Sequence, residues 1–307
     1  MKDLLLYLAH ERPGSVGSLE ATLAASRDAG ARFASTFDRA VAGGFDADRV
    51  AFAFGAAYEA ALVRLQPQLE PGKVRVLCVT EEGGGHPRAI RARLERRGEG
   101  WSLDGEKRWA TLGPHADELL VVAATGIAGN KSLLRLARVP RLREGVTVHA
   151  MPPTPFAPEL PHARVSFEAV SVTDAELFEG DAYQRFIKPF RTIEDVHVLA
   201  AVAGHVAGLA RSRAWPRDSF EDALALIGAL RSIAPLDPLA PETHVALGGA
   251  IRLTRALFAR VASCWNASCA QEEEGARERW ARDQPLLDVA AGPRAKRLEN
   301  AWAALLA

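Results

Sequence analysis

Two short stretches, VRVLCVTEEGGGH at residues 74–86 and GEKRWAT at residues 105–111, decide the fold of this chain. The first is an apolar, β-branched run followed by three glycines, which predicts a strand that ends in a turn. Because glycine has no Cβ, such a turn lets backbone N–H groups approach a flat or anionic ligand closely. A plain turn has the same composition, so this stretch alone does not establish a binding site.

The second stretch predicts a strand in which Lys107, Trp109 and Thr111 share one face, because side chains alternate along a strand. A tryptophan two residues from a threonine offers a stacking plane with a hydroxyl in register. An ordinary sheet core would use the same residues, and the pattern leaves both interpretations open.

The residues around these stretches have the composition of a small β-domain. Short β-branched runs alternate with glycine, proline and aspartate turns, which predicts strands near 74–80, 119–125, 146–149 and 164–172. The proline-rich segment 152–161 favours an extended crossing loop, because proline restricts the backbone and cannot continue a helix. We therefore expect a central β-domain over residues 71–183.

Both flanks are predicted to be helical. Residues 1–70 are rich in alanine and leucine, with Val50, Phe54, Tyr58, Ala61 and Leu65 at helical spacing. Residues 184–307 contain apolar runs near 193–210, 220–233, 242–267 and 293–306, separated by prolines. These runs predict four or five antiparallel helices. The expected fold class is α+β, with an N-terminal helical segment, a small central β-domain and a C-terminal antiparallel helix bundle.

Composition excludes several classes of protein. The 307 residues include 38 Lys+Arg and 38 Asp+Glu, with 48% hydrophobic residues, as in an ordinary globular protein. Zero formal net charge argues against a general nucleic-acid binder. Cys78, Cys264 and Cys269 fit neither a disulfide framework nor a metal knuckle, so we expect packing roles and a cytoplasmic location. No run approaches the roughly 18 uncharged apolar residues that span a bilayer, and no signal peptide is expected.

The ordered motifs resemble the middle domain of the acyl-CoA dehydrogenases. They are Thr-Glu-x-x-x-Gly at 80–85, Leu-x-Gly-x-Lys-x-Trp-x-Thr at 103–111, and Ala116-Asp117 before an apolar strand. Val139-Pro140 before Gly145-Val146, and Phe190 before a helix, continue the same order. The resemblance covers about residues 50–210. It implies FAD between a β-domain and a four-helix bundle, an acyl-CoA or related acyl thioester as substrate, and a homodimer or homotetramer active in fatty acid metabolism.

The resemblance also implies cofactor-binding residues. Thr80 and Thr111 would hydrogen-bond the isoalloxazine, with Thr111 near N5, and Trp109 would lie against the ring. Gly85 and His86 would complete the set at the glycine turn. The family continues this turn as Gly-Ser-Asp, so the expected hydroxyl is missing here and His86 is a substitute donor.

The implied reaction is α,β-dehydrogenation, in which a desolvated glutamate removes the α-proton while a hydride leaves for flavin N5. The usual C-terminal Tyr-Glu-Gly segment does not occur. In the isovaleryl and long-chain branches the base precedes a glycine by ten residues on the first bundle helix, as Glu194 precedes Gly204 here. Glu194 is therefore the candidate base. The alternative is that Glu194 and Asp195 only favour the dipole at a helix N-terminus.

Other features leave further alternatives. The family's Arg-x-x-Phe-Gly is not found after Arg213, and the N-terminal helical part is short, which favours a non-catalytic binding or assembly subunit that has lost tight FAD binding. A flavin monooxygenase is a third alternative. The arginines of 88–97 predict a solvated strand face or a phosphate contact to CoA. One Glu-x-x-His, Glu194 to His197, is too few ligands for a di-metal site, so His197 and His205 are predicted to be core or interface residues.

Overall fold

A computed structural model describes residues 2–14, 16–68, 72–129, 131–267 and 274–307; Cys269 lies outside these ranges. The described residues of the N-terminal part form four helices, α1 (Lys2–His10), α2 (Leu19–Arg32), α3 (Thr36–Asp46) and α4 (Val50–Leu65). The C-terminal helices are α5 (Lys188–Ser212), α6 (Arg217–Ile233), α7 (Pro241–Ala267), α8 (Glu274–Asp283) and α9 (Ala291–Leu305). The predicted α+β class is confirmed.

The described part of the central region contains seven strands in one mixed sheet. They are β1 (Arg75–Cys78), β2 (Arg93–Arg97), β3 (Gly100–Thr111), β4 (Glu118–Ala128), β5 (Lys131–Pro140), β6 (Val146–Ala150) and β7 (His162–Val172). The order is β1-β4-β2-β3-β7-β6, with β5 also paired to β4. β4 runs parallel to β1 and β2, and the remaining pairs are antiparallel. Leu119 to Ala123 of β4 are fully buried, as expected for a central strand with both faces covered.

The chain divides into two compact units. One contains residues 1–69, 155–159 and 190–307, and the other contains residues 70–154 and 160–189. We call them the helical unit and the β-unit. The domain boundaries expected from the sequence, after residues 70 and 183, stay predictions.

The proline-rich loop forms neither helix nor strand, as predicted, and its middle belongs to the helical unit. Asp283 accepts a hydrogen bond from the backbone N–H of Ala157 at 2.7 Å. Glu159 is bonded by Arg49 at 3.0 Å and by Arg282 at 2.8 Å. These charge-assisted contacts hold the loop to helices that are distant in sequence.

The arginine-rich segment differs from its prediction as one strand over residues 88–97. Residues Pro87–Ala89 form a 3₁₀ turn, and β2 begins only at Arg93. Pro87 starts the turn because its fixed φ suits a first helical position and its missing N–H is not needed there. Within β2 only Leu94 is buried, so the arginines of this strand do form a solvated face.

The helical unit is built on close contact between α3 and α5. A Cβ added to Gly204 would lie 2.2 Å from the carbonyl oxygen of Val41, and one added to Gly44 would lie 1.9 Å from that of Ala201. A Cβ at Gly208 would similarly approach the carbonyl oxygen of Phe45 to 2.5 Å. The two backbones therefore touch without intervening side chains, which only glycine permits.

The helical segment Tyr183–Ser212, which includes α5, is long and apolar enough to cross a membrane by length and composition alone. However, 89% of its most apolar window is buried inside the structure. The core helix of a globular protein has the same properties, and burial against protein explains the composition of this helix without a bilayer.

We predict that Gly204→Ala lowers the free energy of unfolding by about 1–3 kcal/mol, because α3 and α5 must separate to admit the methyl group. Gly292→Ala on α9 is the matched control, since a Cβ there meets nothing within 4 Å. Urea denaturation of the three proteins measures the difference. An equal effect of the two substitutions would contradict the close helix contact.

Candidate functional site

A β-bulge in β3 sets the direction of the predicted site residues. Lys107 pairs with Val165 and Ala110 pairs with Ala163, so β3 uses one more residue than β7 over this interval. Trp109 has a φ of 59°, in the left-handed region, and its side chain is half exposed. The prediction that Lys107, Trp109 and Thr111 share a face is wrong, because the extra residue breaks the alternation and turns Lys107 into the core.

Beyond the bulge, Trp109 and Thr111 meet His162, which opens β7 opposite Thr111. The Thr111 Oγ1 lies 3.3 Å from the His162 Nδ1, and the rings of Trp109 and His162 pack edge to face with centroids 5.7 Å apart. Burial lowers the pKa of His162, which favours the neutral imidazole at pH 7. Sequence reasoning missed His162 because its contact depends on a register that the bulge shifts.

The glycine turn lies beside this bulge. The backbone N–H of Arg108 donates to the Thr80 carbonyl at 2.7 Å. Thr80 is therefore bonded to the residue that precedes Trp109. The turn is closed by the pair Glu81 and Gly84, with Gly84 at a φ of 97°. A Cβ at Gly85 would lie 3.4 Å from the Thr80 Oγ1, so Gly85 folds back onto Thr80. The structure thus brings Thr80, Gly85, Trp109 and Thr111 to one end of β3.

His86 points to a different part of the β-unit. Its Nδ1 accepts a hydrogen bond from the backbone N–H of Arg88 at 3.2 Å, and its side chain is exposed. Together with Glu82, Arg88 and Arg91, it lines an open cleft of about 740 Å³. Trp109 and Thr111 do not line this cleft. With Nδ1 engaged, only Nε2 of His86 is free to meet a ligand.

A buried ion pair anchors the base of the glycine turn. The Lys107 ammonium is fully buried and lies 2.6 Å from Glu81 Oε1 and 3.3 Å from the Val79 carbonyl. Glu81 also accepts hydrogen bonds from the backbone N–H groups of Arg91 at 2.6 Å and Ala92 at 3.0 Å. Burial lowers the pKa of Lys107, against the opposing effect of Glu81. The turn, β3 and the entry to β2 are therefore tied together by one carboxylate.

Cys78 lies buried near this pair. Burial raises the pKa of its thiol to about 12, so the thiol stays protonated at neutral pH. This supports the predicted packing role of Cys78.

Glu194 lies on α5 in the helical unit. Because α5 begins at Lys188 and follows a π-helical turn at Tyr183–Ile187, Glu194 lies in the second turn of α5. The alternative reading, in which Glu194 favours the dipole at a helix N-terminus, is wrong, since that effect fades beyond the first turn. Burial, with a smaller effect from Asp195, raises the pKa of Glu194 from its ordinary value of 4.5 to about 8.

The next residue, Asp195, is in a different environment. It accepts hydrogen bonds from Arg294 at 2.6 Å and from Arg297 at 2.7 Å, both on α9. These bonds fix the beginning of α5 to the last helix, and among the residues that the structure describes no cation forms an ion pair with Glu194. No local signal in the sequence points to the two arginines, because they follow Asp195 by about 100 residues.

His197 and His205 are core residues, as predicted. The Nδ1–H of His197 donates to the Ile193 carbonyl at 2.8 Å, and that of His205 donates to the Ala47 carbonyl at 2.9 Å. Burial lowers the pKa of each to about 4. Both are therefore neutral at physiological pH.

We predict that Glu81→Gln lowers the free energy of unfolding by about 3–5 kcal/mol, because Lys107 is left buried without a counter-charge. Glu82→Gln is the matched control, since the Glu82 side chain is 92% exposed and should shift stability by less than about 0.5 kcal/mol. Chemical denaturation measures both. Equally small losses would show that the Lys107 charge does not depend on Glu81.

We also predict that the stability gain from Glu194→Gln grows as pH rises from about 4.5 to about 8. Over this interval folded wild-type protein retains a proton that the unfolded chain releases, so its stability falls with rising pH, whereas the glutamine has no such proton. Melting temperatures across the interval, with the exposed Glu221→Gln as control, test this. A difference independent of pH would place the pKa of Glu194 near its ordinary value.

Comparisons with known proteins agree with this fold. Residues 76–170 match the family model described as acyl-CoA dehydrogenase, middle domain. A search of curated proteins finds no match. The butyryl-CoA dehydrogenase from Megasphaera elsdenii is similar in structure, with a TM-score of 0.68 at 13% identity, covering 88% of this chain and 81% of that one.

Two further solved structures are similar. A putative acyl-CoA dehydrogenase from Mycobacterium smegmatis has a TM-score of 0.64 at 16% identity and covers 99% of this chain and 96% of its own. The acyl-CoA dehydrogenase from Geobacillus kaustophilus has a TM-score of 0.62 at 13% identity, covering 86% and 82%. At such low identity, these likenesses show a shared fold.

Proposed function

We propose that this chain, a divergent member of the acyl-CoA dehydrogenase family, is an FAD-dependent oxidoreductase that removes hydrogen from the α and β carbons of an acyl-CoA or related thioester. The observation that carries the proposal is Glu194, a carboxylate on the first helix of the bundle with a pKa raised to about 8. Such a group is a stronger base than an ordinary carboxylate and still titrates close to neutral pH, as α-proton abstraction requires.

The residues at the end of β3 fit the ring of the cofactor. The half-exposed Trp109 supplies an aromatic plane, Thr80 and Thr111 supply hydroxyls, and Gly85 keeps the turn free of side chains. His86 offers only Nε2 in place of the family's serine hydroxyl. Bound FAD would supply the hydride acceptor, and hydrogen bonds from Thr80 and Thr111 would tune the ring.

His162 would set the direction of the Thr111 hydroxyl. A neutral imidazole has one donor and one acceptor nitrogen, so the tautomer of His162 decides whether Thr111 donates to Nδ1 or accepts from it. If Thr111 donates to His162, its oxygen could only accept a hydrogen bond at the ring. If Thr111 accepts from His162, its hydroxyl could donate to the ring.

Glu194 would take the proton that leaves the substrate's α-carbon, while a hydride leaves the β-carbon and the C–C bond becomes double. The carboxylate, not the carboxylic acid, performs this step. Turnover should therefore rise with pH through about 8, where half of the Glu194 side chains are ionised, and level off at higher pH. The bonds from Arg294 and Arg297 to Asp195 hold the backbone that carries Glu194.

A second candidate function is a non-catalytic relative that binds an acyl thioester or a partner subunit without FAD. It is favoured by the segment after Arg213, where the family has Arg-x-x-Phe-Gly. Trp215 and Trp265 pack edge to face at 5.0 Å, and the Arg213 guanidinium lies 4.6 Å from the Trp265 ring. Aromatic packing thus replaces the residues that hold the FAD pyrophosphate in the family.

Three further features belong to the proposal. We infer a homodimer or homotetramer, a cytoplasmic location and a role in fatty acid or related acyl metabolism. A closed symmetric assembly is the commonest form of soluble oligomer.

Purified protein with FAD should be yellow, and FAD should raise its melting temperature because only the folded state binds it. Glu194→Gln should lower enoyl-CoA formation by about 10²-fold or more while retaining the flavin spectrum. Glu221→Gln, an exposed glutamate on α6, should leave turnover unchanged.

Protein that stays colourless and whose melting temperature does not rise with FAD would refute the cofactor. Stabilisation by acyl-CoA alone would then support the non-catalytic function. Full turnover by Glu194→Gln in a flavin-loaded protein would refute only the base.

A further inference from the structure

The helical unit contains an open cavity of about 440 Å³ that the proposed reaction does not use. Its lining comes from four places: residues 34–37 at the start of α3, Arg64 of α4, His197 of α5, and Arg231, Ala234 and Pro235 at the end of α6. The volume falls within the range of small-molecule sites. None of the proposed flavin-binding residues, nor Glu194, lines it.

The residues at the N-terminus of α3 line this cavity. Ser35 is the N-cap, and its side chain makes no capping hydrogen bond. The first N–H groups of a helix lack partners within it, and the aligned peptide dipoles place partial positive charge there. This end of α3 therefore favours an anion, but helix ends of this kind are common and a more specific feature is needed.

Thr192 supplies that feature. It is 1% exposed, and its hydroxyl has no hydrogen-bond partner among the described residues. It lines a small neighbouring pocket of about 10 Å³, and Arg64, His197 and Ala234 line both this pocket and the main cavity. A buried unpaired hydroxyl costs about 1–3 kcal/mol, so this one is poised for a ligand or a water molecule.

The charged side chains that line the cavity leave one positive charge, which would be neutralised by a ligand with a single negative charge. Arg64 forms no hydrogen bond or ion pair with any residue that the structure describes, and its charge contributes to the lowered pKa of His197. Arg231 pairs with the buried Asp38, and His197 is neutral. One uncompensated cation and a helix end therefore remain.

The other lining residues are apolar. Ala34, Phe37, Ala234 and Pro235 line the main cavity, and Ile193, Val196 and Ile233 line the neighbouring pocket. A guanidinium binds a carboxylate through two parallel hydrogen bonds. We propose that the cavity binds a small monocarboxylate, with its carboxylate between Arg64 and the α3 N-terminus and its short aliphatic or aromatic body against the apolar wall.

Isothermal titration with hexanoate and benzoate, with inorganic phosphate as comparator at equal ionic strength, tests the proposal. Wild-type protein should bind at least one carboxylate saturably and more tightly than phosphate. Arg64→Ala should weaken that binding at least tenfold, whereas Arg27→Ala, an exposed arginine on α2, should not change it. Because Arg64 is exposed, the variant should keep the wild-type melting temperature without ligand.

Thr192→Val separates a ligand site from a water-filled gap. It keeps the side-chain shape and removes an unpaired hydroxyl, so the variant should be as stable as wild type or more stable. If the carboxylate reaches Thr192, its affinity should fall severalfold.

No saturable binding, unchanged affinity in Arg64→Ala, or a preference for phosphate would overturn the proposal. Neither titration needs FAD, so this site stands or fails independently of the proposed dehydrogenase activity.

Discussion

The buried pair of Lys107 and Glu81 is the constraint on which the β-unit depends. An ammonium group removed from water is strongly destabilising unless a carboxylate and further hydrogen bonds replace its hydration. Glu81 provides the charge, and the Val79 carbonyl accepts a further bond from Lys107. Because Glu81 also binds the N–H groups of Arg91 and Ala92, the same carboxylate holds the turn, β3 and the approach to β2. The position of the exposed Trp109 relative to Thr80 follows from this arrangement.

Much of the fold follows from the sequence, because periodicity and turn residues report local structure directly. The predicted strands and helices lie within a few residues of the observed ones, as at 164–172 against His162–Val172. The errors have local causes that composition does not reveal. A bulge has no obligatory residue type, so the alternation of Lys107 and Thr111 could not be rejected from the sequence. Long-range contacts such as that of His162 with Thr111 depend on the register between two strands, and the sequence does not predict that register either.

Glu194 and Asp195 show why residue type alone does not identify a base. The two carboxylates are adjacent, yet Asp195 is bonded by two arginines of α9, while Glu194 is half-buried and forms no ion pair with any residue that the structure describes. Desolvation then outweighs the more distant effects of Arg294, Arg191 and Arg297 on the pKa of Glu194. The spacing of Glu194 from Gly204 made it a candidate, but the raised pKa depends on how α5 and α9 pack. That packing cannot be read from a local window of sequence.

The helices α3 and α5 pack against each other in the core, and each also contributes residues to the lining of the cavity. Glycines 44, 204 and 208 let the two backbones touch, which fixes α3 over its second half.

At the N-terminal end of α3, the Nε2 of His197 lies 3.0 Å from the Thr36 Oγ1. Because Nδ1–H of His197 already donates to the Ile193 carbonyl, the neutral ring presents an unprotonated Nε2, and the Thr36 hydroxyl must be the donor. Burial holds the pKa of His197 at about 4, so this assignment persists at neutral pH. The hydroxyl of Thr36 is thereby used within the protein, and an anion in the cavity must rely on the backbone N–H groups of α3, on the Ser35 hydroxyl and on Arg64.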